Sequence, residues 1–281
     1  MGKTNDKMPI YKIARPTLGL LYRLWYRPKI IGKENIPKEG SILLVGNHVH
    51  IMDQCNVIIS TKRCIHYMAK KEYFDSQYKE GKFPWFFRGA GCIPVDRSKK
   101  DDEAVASALE VLNNGEALGL FPEGTRNGLK EDRIKELYEK YGKEEEYSSF
   151  YKKVKNNKTS QVNYLEELFQ REIITDEEFL DNLVDVDDYL RDLVKLSRIS
   201  LEDYYEHSLL PFKFGAVSMA EKTDSYLVPF AITGKYSFWG NSLTVRIGKP
   251  FKVDSDLEKA NNLLRERIKF MMKENDKNSG K

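Results

Sequence analysis

SILLVGNHVHIMD, residues 41–53, begins as one kind of structure and ends as another. Ser41–Asn47 is a short apolar run suited to a buried strand, and a helix is predicted from about Asp53 to Ser60. The same alternation continues downstream. IHYMAK (Ile65–Lys70) reads as a second strand, with KEYFDSQYKE after it as polar helix. GCIPV (Gly91–Val95) is a third strand. KDDEAVASALEVLNN (Lys100–Asn114) is a helix with acids in its first turn and Asn-Gly past its end. EALGLFPEG (116–124) is a fourth strand running into a turn. Strands separated by helices define an α/β fold, a mostly parallel central sheet flanked by helices. Such sheets place ligands at the carboxyl ends of their strands. NHVHIMD, GCIPVDRS and FPEGTR each follow an apolar strand run, on what would be one edge of that sheet.

Further along, PFKFGAVSMAEKT is a predicted helix, while SYLVPFAITG (Ser225–Gly234) and LTVRIGKPF (Leu243–Phe251) are strands. DLEKANNLLRERIKFMMKEN closes with an amphipathic helix. Between the two halves, a segment of about 129–209 breaks the pattern. It is rich in Glu, Lys, Asp and Tyr and reads as a helical insertion, with Leu180, Leu183 and Val184 on a partly apolar face and Tyr147–Ser160 as a mobile connector. No internal repeat is evident.

A chain of 281 residues, 41% hydrophobic and 32% charged, buries one large core or two modest ones and is neither disordered nor a membrane bundle. It has no run of 18 apolar residues, so no ordinary spanning helix is expected. MGKTNDKMPI lacks the apolar core of a secretory signal, and Asp6 breaks the myristoylation pattern. Three cysteines without metal spacing (Cys55, Cys64, Cys92) fit a reducing cytosol. The net charge of +3 hides an asymmetry. Lys130–Glu206 holds 13 Lys+Arg against 21 Asp+Glu, a balance of −8, and the remainder holds 33 against 22, or +11. A basic body suits an anionic lipid surface or an anionic carrier. With no base-stacking motif present, no nucleic-acid partner is expected.

Residues 8–28 mix Ile10, Ile13, Leu18, Leu21, Leu24 and Trp25 with Lys12, Arg15, Arg23 and Arg27. This mixture of aromatic, apolar and basic residues suits a membrane–water interface. The alternative is an amphipathic helix packed on the protein's own core. Pro16 and Gly19 predict one or two short helices rather than a long one. Residues 1–35 are therefore read as an N-terminal membrane-associating helical segment on the cytoplasmic side of the membrane, peripheral or monotopic. Residues 36–281 form the main domain, interrupted by the insertion.

The chemistry-bearing residues lie in the short strings. A neutral imidazole takes a proton from a hydroxyl, and a carboxylate on its far nitrogen fixes the tautomer. His48 and Asp53 supply that pair if the chain turns from strand to helix between them, although a bare His-x4-Asp is a weak signal. Arginine binds phosphate through a bidentate fork, and Arg97 and Arg126 each follow an apolar strand closely. A single arginine is more often a solvated surface charge. Pro122 and Gly124 shape a tight turn bringing Glu123, Thr125 and Arg126 to one rim. Glu123 would orient an arginine or bind a substrate hydroxyl, and Lys70 is a further phosphate candidate.

Together and in order, these strings resemble the glycerolipid acyltransferase family, whose members acylate glycerol phosphates and lysophosphatidic acid. NHVHIMD looks like the family's first block, GCIPVDRS its second, FPEGTR its third and VPFAI (Val228–Ile232) its fourth, with AKKEYF and PFKFGA also similar. The resemblance implies the family's αβ acyltransferase domain. It makes His48 the catalytic base and Asp53 its partner. It puts Arg97, Glu123, Gly124 and Arg126 on acceptor-binding positions, and ties Pro229 to acyl-substrate binding or site architecture. The implied reaction moves a fatty acyl group from a thioester of coenzyme A or acyl carrier protein to lysophosphatidic acid, making phosphatidic acid. No metal and no cofactor beyond that co-substrate is implied. Glycerol 3-phosphate or another lysolipid stands as an alternative acceptor. His50, where many relatives carry a small polar residue, and the insertion of about eighty residues depart from the family pattern. His48-x-His50 with Asp53 also fits a metal-dependent hydrolase, and a lipid-binding protein without activity is a third reading.

Overall fold

The computed structural model describes residues 8–77, 83–142, 145–240 and 242–277. In chain order they form α1 (Pro9–Tyr26), β1 (Lys29–Ile31), β2 (Ile42–Gly46), α2 (Asp53–Ser60), β3 (Ile65–Lys70), α3 (Pro84–Gly89), β4 (Ile93–Val95), α4 (Asp102–Asn113) and β5 (Ala117–Leu120). Six helices follow: α5 (Glu131–Tyr141), α6 (Tyr147–Val154), α7 (Thr159–Gln170), α8 (Asp176–Asn182), α9 (Val186–Lys195) and α10 (Leu201–Glu206). The chain closes with α11 (Gly215–Lys222), β6 (Tyr226–Thr233), β7 (Thr244–Ile247) and α12 (Leu257–Lys277). These residues pack as two compact units, one drawn from 1–47, 52–122 and 212–281, the other from 48–51 and 123–211.

The first unit is built on a seven-stranded sheet of order β1-β7-β6-β2-β5-β3-β4. Every pairing is parallel except β6 with β7, as the alternation of strands and helices predicts. Ile42, Leu43, Leu44 and Val45 are completely buried, the mark of a parallel strand covered on both faces. Gly46 and Gly119 permit close approach. A Cβ on Gly46 would lie 2.3 Å from the Phe230 ring, and one on Gly119 would lie 2.3 Å from that of Tyr67.

Three local expectations are corrected in this unit. The N-terminal segment is a single helix of 18 residues through Pro16, not one or two short ones. The hydrogen bond that proline removes is outweighed by docking along one face. Tyr11 and Tyr22 are buried there, and Gly19 meets Ile59. Arg15 donates to the Thr61 carbonyl at 2.9 Å, and Arg23 to that of Ile59. Both arginines thus satisfy carbonyls at the C-terminal end of α2. KEYFDSQYKE is not a helix where it is described. It makes a single 3₁₀ turn at Lys71–Phe74, because Tyr73 and Phe74 are drawn onto Phe87; its residues 78–80 lie outside the described residues, as does the start of the N-terminal segment. The last strand run is shorter than its apolar pattern, ending at Ile247, with Phe251 in an isolated bridge to Leu227.

The second unit is helical. Tyr147–Ser160 is no connector: it forms α6 and the start of α7, with Phe150 and Val154 buried. The helices α7–α8 and α9–α10 are also two copies of one hairpin, a repeat that the sequence pattern did not disclose. Each first helix ends at a left-handed residue, Glu172 (φ 57°) or Ser197 (φ 58°). Each second helix opens with a capping box, Thr175 with Glu178 or Ser200 with Asp203. Corresponding positions hold Leu168 and Leu193, Ile174 and Ile199, and Phe179 and Tyr204, all buried. The side chains outside this buried framework differ so much that the identity is lost. Arg198 joins the copies by donating to Glu178 and to the Ile173 carbonyl.

Candidate active site

Within the sheet unit, the carboxyl ends of the parallel strands carry three of the expected residues. Asp53 opens α2, the helix that follows β2, and is completely buried. The Tyr236 hydroxyl donates to Asp53 Oδ1. Asn56, one turn along α2, donates Nδ2–H to the Tyr236 oxygen at 2.7 Å, and the Tyr22 hydroxyl of α1 donates to Asn56 Oδ1 at 2.9 Å. Burial first, and then the Asp53 charge, push the Tyr236 phenol far above its ordinary value, so it stays a proton donor. Burial likewise raises Tyr22. Neither tyrosine nor Asn56 was singled out from the sequence.

Lys70 ends β3, and Arg97 lies two residues past β4. Their registers adjoin, since Lys70 pairs with Val95. The Arg97 turn is braced from both sides. Asp96 N–H donates to Asp101 at 2.7 Å, Ser98 N–H and Oγ–H donate to Asp96 at 2.9 and 2.6 Å, and Lys71 bridges Asp96 at 2.7 Å. The Lys71 hydrogen bond, followed by those from Ser98, holds the Asp96 carboxyl well below the usual carboxylate range. Pro229 stands apart from these residues. It lies mid-strand in β6, paired with Val45, and lines a cavity of about 600 Å³ with Ile31, Ile247, Phe270 and Met271. Asn47, the residue before His48, is buried. Its amide bonds the Ile232 carbonyl at 2.9 Å and the Ile232 N–H at 2.8 Å, tying the end of β2 to β6.

The second unit holds His48 together with Glu123–Arg126. His48 is partly buried, and its N–H donates to Glu123 Oε1 at 2.8 Å. Glu123 is itself buried, and its other oxygen accepts the Leu210 N–H at 2.9 Å. Gly124 has φ +70°, a left-handed backbone that few other residues adopt readily. Thr125 is partly buried and Arg126 is exposed. The next residue, Asn127, donates its N–H to the His48 carbonyl at 2.6 Å. Among the described residues neither Arg97 nor Arg126 has a carboxylate partner, and both are exposed.

The sequence model of the Acyltransferase family matches residues 27–233, and the chain belongs to that family. It is 29% identical over 118 residues to a 1-acyl-sn-glycerol-3-phosphate acyltransferase of Bacillus subtilis, covering 42% of this chain and 57% of that protein. A second protein of that name, from Borreliella burgdorferi, is 32% identical over 107 residues, covering 37% of this chain and 41% of its own. The chain thus spans about half the length of these curated relatives. Its fold is that of the crystal structure of the 1-acyl-sn-glycerophosphate (LPA) acyltransferase PlsC from Thermotoga maritima, at TM-score 0.52 and 18% identity, covering 94% of this chain and 77% of that one.

Proposed function

We propose that the chain transfers a fatty acyl group from a thioester of coenzyme A or acyl carrier protein to the free hydroxyl of lysophosphatidic acid, forming phosphatidic acid for phospholipid synthesis. The observation that carries this reading is that Arg97, two residues past β4, and, in the helical unit, Arg126, six residues past β5, are each exposed and each without a carboxylate among the described residues. Each suits a phosphate, and Lys70, beside Arg97 in register, is a further candidate cation. His48 takes the proton of the acceptor hydroxyl as that oxygen attacks the thioester carbonyl. The carbon–sulfur bond then breaks, and the thiolate leaves with the proton that His48 returns. Asp53, held by Tyr236, orients the imidazole and stabilises its cation. Gly124 and Thr125 shape the turn that presents Arg126, and Pro229 contributes to the acyl side. A thiolate is a good leaving group, so this transfer requires no metal. Glu123, with both oxygens accepting backbone N–H groups, suits positioning better than ligand binding.

The reaction is proposed to run at an anionic membrane surface, on the cytoplasmic side. The outer face of α1 supports this. Ile13, Leu18, Leu20, Leu21, Leu24 and Trp25 are all at least 42% exposed. The loop after β6 extends the patch, with Phe238 packed on Trp25 and Arg27 over the Trp239 ring at 5.3 Å. Apolar and aromatic residues edged by cations suit an interface. Among the described residues no helix is long and apolar enough to cross a membrane. The test is product analysis by mass spectrometry, with purified protein, vesicles, oleoyl and palmitoyl thioesters of both carriers, and lysophosphatidic acid. Phosphatidic acid is the expected product. Product only with glycerol 3-phosphate or another lysolipid would reassign the acceptor, and binding without product would leave a lipid-binding protein.

A further inference from the structure

His48 is gripped at both of its peptide groups. Its N–H donates to Glu123 Oε1 at 2.8 Å, and its carbonyl accepts the Asn127 N–H at 2.6 Å. Each gripping residue also bonds, through its side chain, to the helical insertion or to the residue just past it. Glu123 Oε2 accepts the Leu210 N–H at 2.9 Å. Asn127 Nδ2 donates to Ser160 Oγ at 2.8 Å and to the Ser208 carbonyl at 3.1 Å, and Asn127 Oδ1 accepts the Ser160 N–H at 3.1 Å. Glu123, Asn127, Ser160 and Ser208 are all buried. Buried polar groups are costly unless bonded, and the Asn127 amide uses both its donors and its acceptor here. Its partners lie 33 and 81 residues further along the chain, so the grip is complete only when the insertion has folded.

We propose that Glu123 and Asn127 are positioning residues through which the helical insertion fixes the backbone at His48, and with it the imidazole that takes the acceptor proton. The proposal rests on His48 being the base. Holding the N–H and C=O of one residue restricts its φ and ψ and so fixes the direction in which its Cα–Cβ bond launches the imidazole, and a base displaced by about 1 Å costs about 10²-fold in rate. The insertion is thereby part of the catalytic apparatus. It differs from a ligand role in its kinetic signature, because loss of positioning lowers kcat, whereas loss of a ligand raises KM.

The test compares Glu123→Gln, Asn127→Asp and Ser160→Ala with the wild type and His48→Ala, in the full chain. Glu123→Gln turns one acceptor oxygen into a donor facing a backbone N–H. Asn127→Asp puts an oxygen against the Ser208 carbonyl. Ser160→Ala removes only a hydroxyl and is the variant that decides if the others fail to fold. The expected result is a fall in kcat of about 10²-fold for the first two and about tenfold for Ser160→Ala, with acceptor KM within about twofold. The His48 imidazole proton resonance, assigned by its loss in His48→Ala, moves in all three. Wild-type kcat and an unmoved resonance in folded Ser160→Ala would overturn the proposal, as would a raised acceptor KM at unchanged kcat in Glu123→Gln. If His48→Ala itself keeps full turnover, the reading of His48 as base fails instead.

Discussion

Tyr236 donates to Asp53 and accepts from Asn56, so a single phenol oxygen links the buried carboxylate to Asn56, one turn along α2. Removing that oxygen leaves Asp53 one donor short and Asn56 one acceptor short. Tyr236→Phe is predicted to lower kcat about tenfold while the melting temperature moves by only a few degrees; unchanged kcat would show that Asp53 needs no such brace. At this scale the sequence reveals what is local. His48 and Asp53 stand out because the string that holds them resembles a family block; a bare His-x4-Asp is a weak signal. Tyr236 lies 183 positions from Asp53 and Leu210 lies 87 from Glu123. A lone tyrosine in a loop and a backbone N–H have no spacing signal, so the groups that hold Asp53 and Glu123 emerge only from the fold.

Helix α1 shows how one element serves two surfaces. Its inner face packs on α2 through Gly19 and Tyr22 and buries Tyr11, whose hydroxyl donates to the Arg63 carbonyl, and its outer face leaves Leu21, Leu24 and Trp25 exposed. The substitutions Leu21→Ser and Leu24→Ser together are predicted to reduce partitioning onto anionic vesicles about tenfold or more without unfolding the protein, as sedimentation with vesicles would measure. Equal sedimentation of variant and wild type would remove α1 from the docking surface. The strands were legible because buried parallel strands are unbroken apolar runs: Ser41–Asn47 was the apolar run, and the fully buried β2, Ile42–Gly46, is found inside it. Pro16 misled because propensity weighs a residue alone, whereas α1 is held by side chains reaching α2. β1, three residues long, offers too little pattern to detect, and it exists because β7 lies beside it.

At the scale of the molecule, both units bury an apolar core. The plan of the sheet unit follows from the alternation of strands and helices. The helical unit adds to its apolar framework charges whose pairing a sequence does not display. Burial alone would raise the Asp187 carboxyl, but Lys158 and Arg191, with a hydrogen bond from Gln161, hold it far below the ordinary range. Glu178 is held down to about 2 by Arg198. A depressed carboxylate stabilises the fold above its unfolded pKa of about 3.9 and loses that contribution as the pH falls towards the folded value. Asp187→Asn is therefore predicted to cost about 2 kcal/mol at pH 7 and progressively less below about pH 4, read from urea unfolding at both pH values. A gap that stays constant with pH would contradict that origin. The central claim, that this chain moves an acyl group with His48 as its base, is tested most directly by turnover of wild type and folded His48→Ala with lysophosphatidic acid and an acyl thioester. The account predicts phosphatidic acid from the wild type and a rate lower by about 10²–10⁴-fold in the variant; equal rates from the two proteins would contradict it.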